Sequence, residues 1–226
     1  MILLGTGMGS KAAWNLDATG LLDSARYIAS SNCDDRPNDV AIVLLVIHNI
    51  SLPPGQFDGS GIVDLFTNRL DPNAHPYFRQ IADIRVSSHF LIRRDGELLQ
   101  FVPCGRRAWH AGQSEWRGRG RCNDFSIGIE LEGTDDRPFA DAQYEMLSRL
   151  AVMLLARYPI CEVAGHSDIA IPAGRKTDPG PHFNWPRFRQ MTGDQTSIPS
   201  ALGWPQDGLD NYGITDQVVA RSDTGT

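Results

Sequence analysis

The apolar run VAIVLLVIH, residues 40–48, carries hydrophobic side chains at odd and even positions alike. Such a run predicts a strand buried on both faces of a sheet. It ends on His48 and Asn49, which sets two polar groups at the strand's carboxyl edge. Downstream, GIVDLFTNRL (residues 61–70) places Ile62, Leu65, Phe66 and Leu70 on one side of a short helix. SSHFLIRRDGELLQFVP (residues 87–103) reads as two strands about an Asp95-Gly96 turn, a strong short-range hairpin signal. FSIGIELEG (residues 125–133) is another strand, with Glu130 and Glu132 two apart and so on one face. In DAQYEMLSRLAVMLLARYP (residues 141–159), Tyr144, Leu147, Leu150, Ala151, Leu154, Leu155 and Tyr158 recur at helical spacing until Pro159 stops the helix. A short strand near residues 25–29 and a short helix near 185–191 complete the elements. The Gly-rich stretches 108–124 and 165–181 read as loops. Hairpin strands mixed with helices predict an α/β (mixed) fold, with a single central mixed β-sheet flanked by helices.

Composition narrows the picture. The chain has 226 residues, which suits one domain with tails. We divide it into an N-terminal extension (1–20), a domain (21–191) and a mobile C-terminal tail (192–226) rich in Gly, Asp, Ser, Thr and Pro. The net charge of −6 gives no general basic footprint, so neither nucleic acid nor an anionic membrane is an expected partner. No stretch approaches the ~20 apolar residues of a spanning helix. The first residues, MILLGTGMGSK, lack the cationic start of a secretory signal, and cytoplasmic residence is the expectation. Four cysteines without a CxxC pair read as free thiols. A monomer is the default expectation.

Chemistry concentrates in GHSDIAIPAGRKTDPGP, residues 165–181. This loop holds His166, Asp178 and Lys176, one of only two lysines in the chain. His48 ends a buried strand, where a polar ring needs a reason. Two imidazoles and one carboxylate are a known catalytic zinc set with a fourth position open. Spacing alone does not prove that set, because His48 lies far from the others in the chain. On composition Glu130 is equally an exposed strand-end carboxylate, and Lys176 equally chance.

The segments VIHNISLPPGQF, DPNAHPYF, VSSHFLIRRDGELLQFVP, RAWHAGQSEWRGRGRCNDFSIGIELEGTD and GHSDIAIPAGRKTDPGPHFNW resemble the AmpD family. Its members are cytoplasmic zinc amidases of peptidoglycan recycling that share a fold with peptidoglycan recognition proteins. The resemblance spans roughly residues 21–189. It implies one zinc ion per chain on His48, His166 and Asp178, with Glu130 and Lys176 catalytic. It implies hydrolysis of the amide between (1,6-anhydro)-N-acetylmuramic acid and L-alanine, with an anhydromuropeptide as substrate. Glu130 would move the proton of the attacking water, and Lys176 would stabilise the oxyanion. Around the cleft it points to Asn49, Arg85, Trp109, Arg121, Asp168 and Ala170. Arg85 and Arg121 suit stem-peptide carboxylates, and Trp109 offers a face to a sugar ring. His110 belongs to the cleft wall and His89 to the sheet, while His75 and His182 are structural. One departure stands out: IPAGR, residues 171–175, lengthens the loop between His166 and Asp178. Two rivals are a wall-lytic amidase acting on intact peptidoglycan and a binding module without catalysis.

Overall fold

The structure is a computed structural model and describes residues 14–193. In chain order the strands are β1 (Arg26–Tyr27), β2 (Cys33–Asp35), β3 (Leu44–Ile50), β4 (Phe90–Ile92), β5 (Leu98–Gln100), β6 (Arg106–Ala108), β7 (Glu115–Trp116), β8 (Arg119–Gly120), β9 (Ser126–Glu132) and β10 (Glu162–Gly165). The helices are α1 (Gly61–Phe66), α2 (Phe78–Ile81), α3 (Asp141–Arg157), α4 (His166–Ile169) and α5 (Trp185–Thr192). Six strands form one sheet in the order β1-β5-β4-β9-β3-β10. Only β4 and β5 pair antiparallel; every other neighbour in the sheet is parallel. The mixed α/β architecture is the one the sequence pattern predicts.

Two apolar layers sandwich the sheet. On one side Leu45, Ile47, Ile127, Ile129 and Leu131 pack with Leu147, Leu150 and Leu154 of α3 and Phe188 of α5. On the other, Leu91 and Leu99 pack with Ile62, Leu65 and Phe66 of α1. A third cluster joins Leu44 and Val46 to Ala164, Phe125 and Ile169. Among the described residues, no helix is long and apolar enough to cross a membrane.

The elements differ from the sequence pattern at several points. Regular pairing of β3 begins at Leu44, where its neighbour β9 begins at Ser126, and runs on to Ile50. Helix α1 stops at Phe66, and Asn68 turns to a left-handed φ of 58° with its side-chain amide on Asn32 and Ser31. The stretch read as a loop over 108–124 contains the β7–β8 hairpin, whose turn residues Arg117 and Gly118 both have positive φ. The stretch over 165–181 starts in β10 and contains the single turn α4. Residues 14–20, assigned to an extension, pack on the domain: Trp14 and Leu16 lie against the α3-side core, and Gly20 accepts from the Gln100 amide at 2.7 Å. Beyond Gly193 the predicted tail lies outside the described residues.

Candidate metal and active site

Strands β9, β3 and β10 are neighbours, and all three run parallel. Parallel strands present their carboxyl ends on one edge of the sheet, where open α/β folds place their sites. His48 on β3 stands opposite Glu130 on β9. Next to them β10 ends at Gly165, and His166 follows as the first residue of α4. The Asp168 carboxylate accepts the Gly165 N–H at 2.7 Å and so holds the turn that aims His166. Gly165 must lack a side chain, because a Cβ there would come within 2.8 Å of Pro179 Cδ. The Ser167 N–H donates to the Asp178 carbonyl at 2.9 Å, which pins the returning end of the loop beside α4.

Asp178 Oδ2 therefore lies 3.2 Å from His48 Nδ1 and 3.1 Å from His166 Nδ1. The three donor atoms fall within 4.8 Å of one another. His166 Nε2 lies 3.1 Å from the Ala111 carbonyl, an obligate acceptor, so the ring proton is on Nε2. That leaves the Nδ1 lone pair facing a carboxylate oxygen, a juxtaposition that a cation relieves. Burial pushes the His48 imidazole down to about 4 despite the neighbouring Asp178 carboxylate, so the ring is neutral at pH 7. The neutral His48 ring is thus in the deprotonated form a metal requires. Two imidazole nitrogens and one carboxylate oxygen fit zinc with a position left open.

Glu130 is buried, and its Oε2 has no hydrogen-bond partner in the protein. Burial, then the charge of Asp178, push its carboxyl well above the ordinary range. Lys176 pulls the other way, and its ammonium also acts on His48. These five residues form the polar end of a cleft of about 370 Å³. Phe66, Tyr77, Ile81 and Ile84 form an apolar wall, and His110 also lines the space.

Of the six residues expected to hold substrate, Asn49 lines this cleft, with its amide donating to Asp135 at 2.6 Å and to the Pro179 carbonyl at 3.1 Å. Trp109 donates its indole N–H to Asp34 at 3.1 Å. Arg121 is exposed at a left-handed φ of 63° and pairs with Asp124 at 3.1 Å. Arg85 is exposed and donates to the Ala82 carbonyl at 3.1 Å. Asp168 serves the Gly165 turn, and Ala170 is buried against Ser114 through a β-bridge. In the loop between His166 and Asp178, Arg175 donates to the carbonyls of Ile171, Ala111 and Gln113. Sequence reading missed the layer behind the histidines, namely Ala111, Ser126 and Gly128. Its only trace in the chain is the run of small residues alternating with Ile127 and Ile129 along β9.

Residues 38–181 match the family described as N-acetylmuramoyl-L-alanine amidase. The 1,6-anhydro-N-acetylmuramyl-L-alanine amidase AmpD of Escherichia coli is 54% identical over 180 residues, 79% of this chain and 97% of that protein. A crystal structure of a selenomethionine AmpD derivative superimposes with a TM-score of 0.75 at 57% identity, covering 78% of this chain and 98% of that one. AmpDh3 of Pseudomonas aeruginosa, solved in complex with anhydromuramic pentapeptide, gives a TM-score of 0.52 at 26% identity, over 73% of this chain and 66% of that one. Three neighbouring strand ends that converge a His-His-Asp donor set and a buried glutamate, in a chain 54% identical to the Escherichia coli AmpD over 97% of that protein, place it in the AmpD family of N-acetylmuramoyl-L-alanine amidases.

Proposed function

We propose that this chain is a zinc hydrolase that cuts the amide between the lactyl group of 1,6-anhydro-N-acetylmuramic acid and L-alanine in muropeptides, within cytoplasmic peptidoglycan recycling. The observation that carries the reading is the convergence of His48 Nδ1, His166 Nδ1 and Asp178 Oδ2 beside Glu130, whose inner oxygen is unpartnered. A zinc ion held there supplies Lewis acidity toward the scissile carbonyl and acidifies water at neutral pH. Glu130 is the proton carrier: a carboxylate without a protein partner accepts a proton from the attacking water and delivers it to the departing amine of L-alanine. Burial raises its pKa, which strengthens it as a proton acceptor. Lys176, on the same cleft, stabilises the negative charge that develops on the carbonyl oxygen, a contribution typically worth ~10²–10³ in turnover. Asn49, Arg85, Trp109, Arg121, Asp168 and Ala170 are the proposed contacts to sugar and peptide. Four free cysteines, Cys33, Cys104, Cys122 and Cys161, support a reducing compartment.

The test is incubation of purified protein with anhydro-N-acetylmuramyl-tripeptide, with products identified by mass spectrometry. Free tripeptide and anhydromuramic acid are expected, abolished by a zinc chelator and restored by zinc. Inert zinc-loaded protein would overturn the assignment. Cleavage of intact sacculi as fast as the soluble substrate would favour a wall-lytic enzyme.

A further inference from the structure

A line of hydrogen bonds runs away from the proposed metal site behind His48. His48 Nε2 lies 2.9 Å from His110 Nδ1. His110 Nε2 lies 3.2 Å from Ser126 Oγ, and Ser126 Oγ lies 2.6 Å from the Cys122 carbonyl. His48, His110 and Ser126 are all buried. The far end of the line fixes its direction. A carbonyl oxygen only accepts, so the single hydroxyl proton of Ser126 must lie on the 2.6 Å contact to Cys122. Ser126 Oγ is then an acceptor toward His110, which places the ring proton of His110 on Nε2. His110 Nδ1 is left bare and accepts from His48 Nε2–H. The Nδ1 lone pair of His48 is thereby turned toward Asp178. The neighbouring ring, His89, is fixed independently: its Nδ1 accepts the Gly128 N–H at 3.0 Å and its Nε2 faces the Arg106 carbonyl at 3.0 Å.

The packing makes room for this line. A Cβ at Gly128 would lie 2.5 Å from the Cγ of His110, so any side chain at that position of β9 would displace the ring. The His48 and His110 rings meet edge to face, with centroids 5.0 Å apart. A ligating histidine usually has its second nitrogen held by a carboxylate, a backbone carbonyl or water. His166 follows that rule through Ala111, whereas the holder of His48 is a second neutral ring whose own tautomer is dictated from Ser126 and Cys122.

We propose that His110 is a positioning residue that fixes the tautomer of His48, with Ser126 and the Cys122 carbonyl setting its direction, and so raises zinc affinity. The proposal rests on the zinc reading of the site, and its test separates the two. Ring ¹⁵N spectra of the protein, metal-free and zinc-loaded, report the tautomers directly. His110 is expected with Nδ1 bare and Nε2 protonated in both states; a proton on His110 Nδ1 overturns the relay even if zinc binds. Zinc affinity is then measured by competition with a chromophoric chelator. His110→Phe keeps a ring but removes the acceptor, and is expected to weaken zinc binding about 10–100-fold. His110→Asn, which can still accept from His48, is expected to recover most of that loss. Phe and Asn variants that bind zinc as tightly as the parent overturn the proposal. If His110→Phe does not fold, Ser126→Ala decides: without the hydroxyl, His110 should show a mixture of tautomers, and an unchanged single tautomer is the contrary result. Failure of the parent protein to bind zinc at all would instead overturn the metal reading.

Discussion

Glu130 and Glu132 sit two residues apart on one strand, share a face, and are both buried, yet their surroundings are opposite. Glu132 is fully engaged. Its Oε1 accepts from Arg93 at 3.0 Å and from the Asp58 N–H at 2.9 Å, and its Oε2 accepts from the Arg94 N–H at 3.3 Å. Glu130 has an oxygen with no partner, directed into a cleft beside the proposed metal ligands. Buried polar atoms are nearly always satisfied, so an unsatisfied one in a well-packed strand marks a place where a ligand or water is to act. Glu132 is held where its shape ties a loop to the sheet; Glu130 is kept available. Burial does not distinguish the two, and partnership does.

The sharpest way to break this comparison is to neutralise each glutamate in turn. Glu130→Gln is expected to lower kcat on the anhydromuropeptide by ~10²–10⁴ while zinc binding persists. Its melting temperature should hold or rise, because the change removes a buried carboxyl that its setting disfavours as an anion. A Glu130→Gln enzyme with near-parental kcat would return Glu130 to a structural role. Glu132→Ala should do the reverse. Breaking a buried pair of this kind costs about 3 kcal/mol, which chemical denaturation will read, whereas kcat of the folded fraction stays within a few-fold. The second partner of Arg93, Glu97 at 3.3 Å, keeps that cost at the lower end of the range.

A more gradual effect comes from acid. Burial lowers the pKa of His48 to about 4 and those of His89 and His110 well below the ordinary 6.5. Each therefore takes up a proton more readily unfolded than folded. Their contribution to stability is full above about pH 6.5 and declines as the pH falls below it, by roughly 1.4 kcal/mol per group per pH unit. Glu130, whose folded pKa is raised, works in the opposite sense, one group against three. Chelator-treated protein should thus melt at progressively lower temperature from pH 7 to pH 5. A flat profile would mean that these rings are hydrated or charged in the folded state.

Much of this was legible in the chain because the signals were local. The β4–β5 hairpin announced itself through Asp95-Gly96, and Gly96 does take a φ of 89° there. Helix α3 followed its apolar spacing. The run into His48 marked a buried strand with a polar end. What stayed hidden depended on neighbours distant in sequence. Strand β10 contains Glu162, which is tolerated at the sheet edge because Trp116 and Arg117 bond it from the β7–β8 hairpin. Two-residue strands carry no period to read. Nothing in spacing joins His48 to Asp178 or to Glu130; residue chemistry suggested the zinc set, the family resemblance added Glu130, and parallel register is what realises the geometry. The layer behind the histidines left only the small residues of β9 as its trace.

The loop between the second histidine and the aspartate is closed at its neck. Gly165 abuts Pro179, and the Ser167 N–H reaches the Asp178 carbonyl, so both ends are fastened to each other as well as to the sheet. Once a loop's ends are fastened, each doubling of its length costs only ~0.6 kcal/mol in closure entropy. Residues 171–174, beyond the neck, can then differ in number without displacing the His166 and Asp178 side chains at its base. The turn that carries His166 and Asp178 is thus a fixed frame, and the chain looping out between them is a margin free to change in length.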